Sequence, residues 1–174
     1  LAQTLAAEPN YEAQLDGTRR WAREWHFRIG VHLLRGLTDA AQAGQQYADL
    51  ARAVLAALWP VVTTQFATRH GPPPGRGAVI LGMGSLGAQA LNAGSDLDLI
   101  VIYDAPADSM SDGKRSLDPR SYYAKLAKTF VTALGAPMSE GVAYEVDMRL
   151  RPSGKQGPVA TAFSAYANYQ IQDA

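Results

Sequence analysis

The spacing of apolar positions changes character about two-fifths of the way along the chain. From residue 10 to residue 70 the pattern is helical. Trp21, Trp25, Ile29, Leu33 and Leu37 recur every four residues, and Phe27, Val31 and Leu34 widen the stripe. A second helical pattern runs from Ala40 to Ala67 through Tyr47, Leu50, Val54, Leu55, Leu58, Val61 and Val62. Pro60 is expected to kink or break it, because proline removes a backbone donor and crowds the preceding turn. Gly71-Pro72-Pro73-Pro74-Gly75-Arg76-Gly77 reads as a linker, giving a helical segment over 1–71, a Pro/Gly linker over 72–77 and a core over 78–174.

Beyond the linker the elements are short and mixed. Ala78 to Leu81 reads as an apolar strand, Leu86 to Leu91 as a short helix, and Leu97 to Tyr103 as a strand rich in β-branched residues. Asp104 to Pro119 is polar and loop-like. Tyr122 to Leu134 is amphipathic with helical period, Tyr122 and Tyr123 serving as packing residues. Tyr144 to Leu150 alternates as a strand with one polar face and looks antiparallel, and Phe163 opens a last helix near Ser164. The class is α+β: a helical segment, then a small mixed sheet.

Composition narrows the function classes. The chain has 174 residues, 47% of them hydrophobic, enough for a core. Sixteen basic and sixteen acidic residues give no net charge, against a nucleic-acid binder. Without cysteine there are no disulfides or thiolate metal sites. The uninterrupted apolar runs are too short to span a bilayer, so no membrane partner is expected. Arg19, Arg20, Arg23 and Arg28 read as a solvated basic face, and His26, His32 and His70 lack metal-ligand spacing. Both ends read as cuts through a longer chain.

The chemistry concentrates between Ala78 and Asp98, where two readings compete. Gly82-Met83-Gly84-Ser85-Leu86-Gly87 follows a strand and precedes a helix, and Asp104 closes the next strand, as in a dinucleotide-binding turn. Against this, Ala88 to Ser95 is short for a crossover helix, and Asp96 and Asp98 have no use in such a fold. The other reading starts from those carboxylates. Two residues apart in a strand, they share a face and repel unless cations sit between them. Glu145, Asp147 and Arg149 share the polar face of the later strand. If the strands are neighbours, Asp147 completes a three-carboxylate site for two Mg²⁺ ions. Gly84 and Ser85 then open a turn whose backbone N–H groups face a triphosphate. Arg149 either pairs with phosphate oxygens or neutralises Asp147 or Glu145. Arg151 is a weaker candidate for the same work, and Gly82 and Gly87 serve the tightness of the turn.

The Gly-Ser step, Asp96-Leu97-Asp98 and the distant Asp147 resemble the DNA polymerase β-like nucleotidyltransferase superfamily. Gly82-Met83-Gly84-Ser85-Leu86-Gly87, Ser95-Asp96-Leu97-Asp98-Leu99-Ile100, Tyr103-Asp104 and Tyr144-Glu145-Val146-Asp147-Met148-Arg149-Leu150-Arg151-Pro152-Ser153-Gly154 narrow this to a resemblance to glutamine synthetase adenylyltransferases, over Ala78 to Gln170 and, more loosely, around Arg28-Ile29-Gly30. Glu145-Val146-Asp147, Arg151-Pro152-Ser153-Gly154 and Ser111-Asp112-Gly113 look most like the adenylylating half. The resemblance implies a cytoplasmic enzyme that moves AMP from ATP to a tyrosine of glutamine synthetase. It further implies two Mg²⁺ ions at Asp96, Asp98 and Asp147, and a regulatory signalling protein acting through other parts of the longer protein. The family usually carries lysine where this chain has Ser85, so a positive charge is missing from the phosphate-binding turn. Three alternatives remain: the deadenylylating half, which the resemblance leaves open, and, from the residues, a dinucleotide-binding module or a catalytically silent regulatory domain.

Overall fold

The computed structural model describes residues 1–150, 152, 154 and 157–172. Arg151 and Ser153 of the Arg-Pro-Ser-Gly motif therefore lie outside the described residues. Helix α1 (Ala2–Ala6) leads into α2 (Tyr11–Leu34), capped by the Asn10 carboxamide, which accepts from the Ala13 amide. Helix α3 (Ala40–His70) opens with a capping box between Asp39 and Gln42.

Pro60 does not interrupt α3. Both Pro60 and Ala56, whose carbonyl the missing N–H would have bonded, are exposed, so water can satisfy that oxygen. The helix is long and apolar enough by composition to cross a membrane. Its apolar residues Tyr47, Leu50, Val54, Leu58 and Val62 are buried in the protein's own core.

The core is one cluster fed by the helices and the sheet together. It joins Leu15, Ala22 and Ile29 of α2 and the α3 residues to Leu97, Leu99, Val101 and Tyr103 of β2 (Leu97–Asp104). Tyr122, Tyr123, Leu126, Phe130 and Leu134 of α5 (Pro119–Gly135) complete it. Full burial of side chains of this size is worth roughly 1.5–3 kcal/mol each. The proline-rich connection is pinned to this core. The Tyr122 hydroxyl donates to the Gly71 carbonyl at 2.9 Å and the Tyr123 hydroxyl to the Pro74 carbonyl at 2.6 Å.

The buried face of α2 takes in only part of the Trp stripe: Ile29 is in the core and Trp21 packs against it, while Trp25, Leu33 and Leu37 are exposed. Leu15, Thr18, Arg19, Ala22 and Ile29 face inward, while Phe27 is 71% and Leu34 89% exposed. Trp21 and Trp25 instead line a groove between α2 and α3, with the Arg28 guanidinium 5.1 Å from the Trp25 ring.

The sheet is mixed, with β2 at its centre. Strand β1 (Gly77–Gly82) pairs antiparallel with β2, from Gly77 opposite Asp104 to Gly82 opposite Leu99. On the other edge β2 takes β3 (Val146–Asp147) and then β4 (Ala160–Ala162), both parallel. The β3 strand is thus parallel, not antiparallel, and its ladder holds only two of the seven residues that alternate. Helix α6 (Phe163–Gln172) follows β4. An antiparallel β1–β2 pair joined through the four-residue α4 (Gly84–Gly87) is no βαβ crossover, so the dinucleotide-binding reading of the glycines fails on topology.

Candidate active site

The glycine turn is shaped around Asp98. Gly84 has φ +51°, and a Cβ built there would lie 2.3 Å from Asp98 Oδ2. The Asp98 carboxylate therefore rests directly on the backbone of the turn, where only glycine leaves room. From the backbone side, the Met83 amide donates to the Asp98 carbonyl at 2.8 Å. Gly87 also needs to be small, because its Cβ would meet the Gly82 carbonyl oxygen at 2.8 Å. Ser85 is exposed on the same turn.

The second carboxylate-bearing strand lies beside the first. Asp98 and Asp147 are register partners across the parallel β2–β3 pair, one step after Leu97 and Val146. Cross-strand partners share a face of the sheet, so the two carboxylates project to the same side. Asp96 stands one residue before β2 and two before Asp98, exposed, at the mouth of the site. The intervening Leu97 and the following Leu99 point the other way, into the core.

Arg149 occupies this neighbourhood as well. Its backbone amide donates to Asp147 Oδ1 at 2.7 Å, and its guanidinium pairs with Asp147 Oδ2. That hydrogen bond, with the charges of Asp147, Asp98 and Asp96, holds the guanidinium above its ordinary pKa. The cation is thus within electrostatic reach of all three carboxylates.

Oxygen donors in carboxylate pairs are the set that suits Mg²⁺, and the register brings Asp98 and Asp147 together from two neighbouring strands. As placed, no three Asp, Glu, His or Cys side chains among the described residues converge closely enough to hold a metal ion. Asp147 is turned toward Arg149. The donor chemistry suits a divalent cation such as Mg²⁺, and Asp147 would have to leave Arg149 to bind one.

A polar cavity of about 370 Å³ adjoins Asp96, lined among others by His26, Tyr47, Asn92, Tyr144 and Glu145. Burial raises the pKa values of the Tyr144 and Tyr47 hydroxyls, and for Tyr144 the nearby Tyr47 adds to the effect.

Two residues beside the site escape a reading of the sequence by type. Arg19 belongs to the run read as a solvated face, yet it is 2% exposed. Its guanidinium donates to the Gly141 carbonyl at 2.8 Å, Leu15 at 3.0 Å, Ala133 at 2.7 Å and Ala136 at 2.9 Å. It lies at the C-terminus of α5, where carbonyls lack helix partners and the macrodipole favours a cation. Burial lowers its pKa, with nearby Asp16 and Tyr11 opposing. Its position four residues after Leu15 and three before Ala22 is the signal in the sequence. His26 is the other, its Nε2 lying 3.0 Å from the Ala93 carbonyl.

A family model described as glutamate-ammonia ligase adenylyltransferase matches residues 1–174. A bifunctional glutamine synthetase adenylyltransferase/adenylyl-removing enzyme of Mesorhizobium japonicum is 47% identical over 175 residues, spanning 100% of this chain and 18% of that relative. Proteins of the same description from Rhizobium meliloti and Xanthobacter autotrophicus are 45% and 46% identical, spanning 100% and 94% of the chain. The chain corresponds to 18% and 17% of their lengths.

Proposed function

The chain belongs to the glutamate-ammonia ligase adenylyltransferase family, and on that premise we propose that it is the adenylylating half of such an enzyme. It transfers AMP from ATP to a tyrosine hydroxyl of glutamine synthetase and releases pyrophosphate. The phenol oxygen attacks the α-phosphorus, the bond to the β-phosphate bridging oxygen breaks, and the phenolic proton is lost.

The observation that carries this reading is the placing of Asp98 opposite Asp147 with its carboxylate against Gly84. Asp96, Asp98 and Asp147 would hold two Mg²⁺ ions, which would supply Lewis-acid stabilisation of the charge that develops in a phosphoryl displacement. The turn at Gly84 and Ser85 offers backbone N–H groups to the β- and γ-phosphates, and Gly84 lets the chain approach them closely. Asp147, on the strand nearer the solvent edge, orients the acceptor hydroxyl and is the group placed to draw its proton. Arg149, released from Asp147, pairs with phosphate oxygens. The motifs Glu145-Val146-Asp147 and Ser111-Asp112-Gly113 favour the adenylylating direction.

The test is to incubate the chain with ATP, Mg²⁺ and unmodified glutamine synthetase and look for AMP-tyrosine by mass spectrometry. AMP-tyrosine is the expected product. ADP released from adenylylated synthetase and phosphate, with no forward product, would assign the chain to the deadenylylating half instead.

A further inference from the structure

Strand β3 is short for the work asked of it. Its ladder with β2 holds two residue pairs, and the ten residues 136–145 connect it to α5. So few ladder bonds open easily, and Asp147 needs support from elsewhere to stay opposite Asp98.

We propose that helix α2 is a splint that fixes the two carboxylate-bearing strands relative to each other, with Arg19 and His26 as its positioning residues. The consequence for catalysis rests on the function proposed above.

Helix α2 grips both segments that deliver the carboxylates. Toward β3, Arg19 binds the carbonyls of Ala133, Ala136 and Gly141, Arg23 binds the Glu140 carboxylate, and Asp16 accepts from the Ser139 hydroxyl. These contacts fix the end of α5 and the turn from Met138 to Gly141, which ends four residues short of β3. Toward β2, His26 holds the Ala93 carbonyl three residues before Asp96. Arg19 and His26 are two helical turns apart on one face, a rigid span of roughly 10 Å at 1.5 Å per residue. The His26 ring also packs on Tyr47 of α3, with centroids 4.7 Å apart, which ties the splint to the core. The two segments meet at the Leu97 amide, which donates to the Glu145 carbonyl at 2.9 Å.

That amide is the reporter. Hydrogen exchange followed by NMR compares Leu97 with Leu126, buried inside α5, in the wild-type chain and in Arg19→Lys, His26→Ala and His26→Gln. Glutamine places a donor near the position of His Nε2. In Arg19→Lys and His26→Ala the Leu97 amide is expected to exchange faster while Leu126 keeps its wild-type rate, and His26→Gln restores Leu97. The Mg²⁺ concentration for half-maximal ATP binding should rise in the same two variants, because the carboxylate-bearing strands are then held less firmly in register. Unchanged Leu97 exchange, or equal acceleration at Leu97 and Leu126, overturns the splint. If Arg19→Lys does not fold, the His26 pair decides alone. Absence of any Mg²⁺-dependent ATP binding by the wild-type chain would sink the proposed function, and the exchange rates would still decide the splint.

Discussion

The Asp98 carboxylate lies where a side chain on Gly84 would have to go, 2.3 Å from the Cβ position. Gly84→Ala must therefore displace Asp98 and also hold alanine at φ +51°, a left-handed conformation that costs of order 1–3 kcal/mol. The variant is expected to melt at lower temperature and to bind ATP·Mg²⁺ more weakly than its residual stability accounts for. Thermal unfolding and titration calorimetry on the same sample check both.

Ser85 is exposed on that turn, so a longer side chain meets no packing obstacle. Ser85→Lys puts a cation beside the expected phosphates and should tighten ATP binding while leaving the melting temperature near wild type. The gain should shrink as ionic strength rises, since exposed charges are screened. Calorimetry at low and high salt reads it.

Arg149→Gln removes the guanidinium that pairs with Asp147 and is proposed to meet phosphate. A guanidinium can meet phosphate oxygens with two parallel N–H groups, which glutamine cannot, so ATP affinity should fall. An unchanged ATP affinity in a Mg²⁺-saturated titration would restrict Arg149 to neutralising Asp147.

Burial pushes both the Tyr122 and Tyr123 hydroxyls up to about 12. The folded chain keeps protons that the unfolded chain releases near pH 10, so these groups favour folding fully below pH 10. That contribution is lost as pH rises from 10 toward 12. Stability measured by urea unfolding should fall across this window. Tyr123→Phe, which removes the bond to the Pro74 carbonyl, should reduce stability at pH 7 by about 1 kcal/mol and flatten the alkaline fall.

The site was legible in the sequence where its parts are local. Gly84-Ser85 comes one residue after its strand, and Asp96 and Asp98 stand two residues apart at the start of the next. Asp147 was harder. Its alternation with Glu145 and Arg149 suggested a strand, but neither its partner nor its direction follows from period two. The parallel pairing depends on α5 crossing the sheet between β2 and β3. Arg19 shows the opposite failure. Residue type alone put it in solvent, whereas unpaired carbonyls from a segment more than 110 residues away draw it inward. The Trp stripe of α2 was legible only in part: Ile29 is buried and Trp21 packs on the core, while Trp25, Leu33 and Leu37 are exposed. The short helix read over Leu86 to Leu91 lies instead at Gly84–Gly87, and the three-residue β4 is too short for a period to reveal.

The measurement that tests the central claim most directly is ATP binding by titration calorimetry, with Mg²⁺ and with EDTA, for the wild-type chain, Asp96→Asn and Asp98→Asn. The account predicts Mg²⁺-dependent binding by the wild type that both variants lose while remaining folded. Equal, metal-independent binding by all three would contradict it.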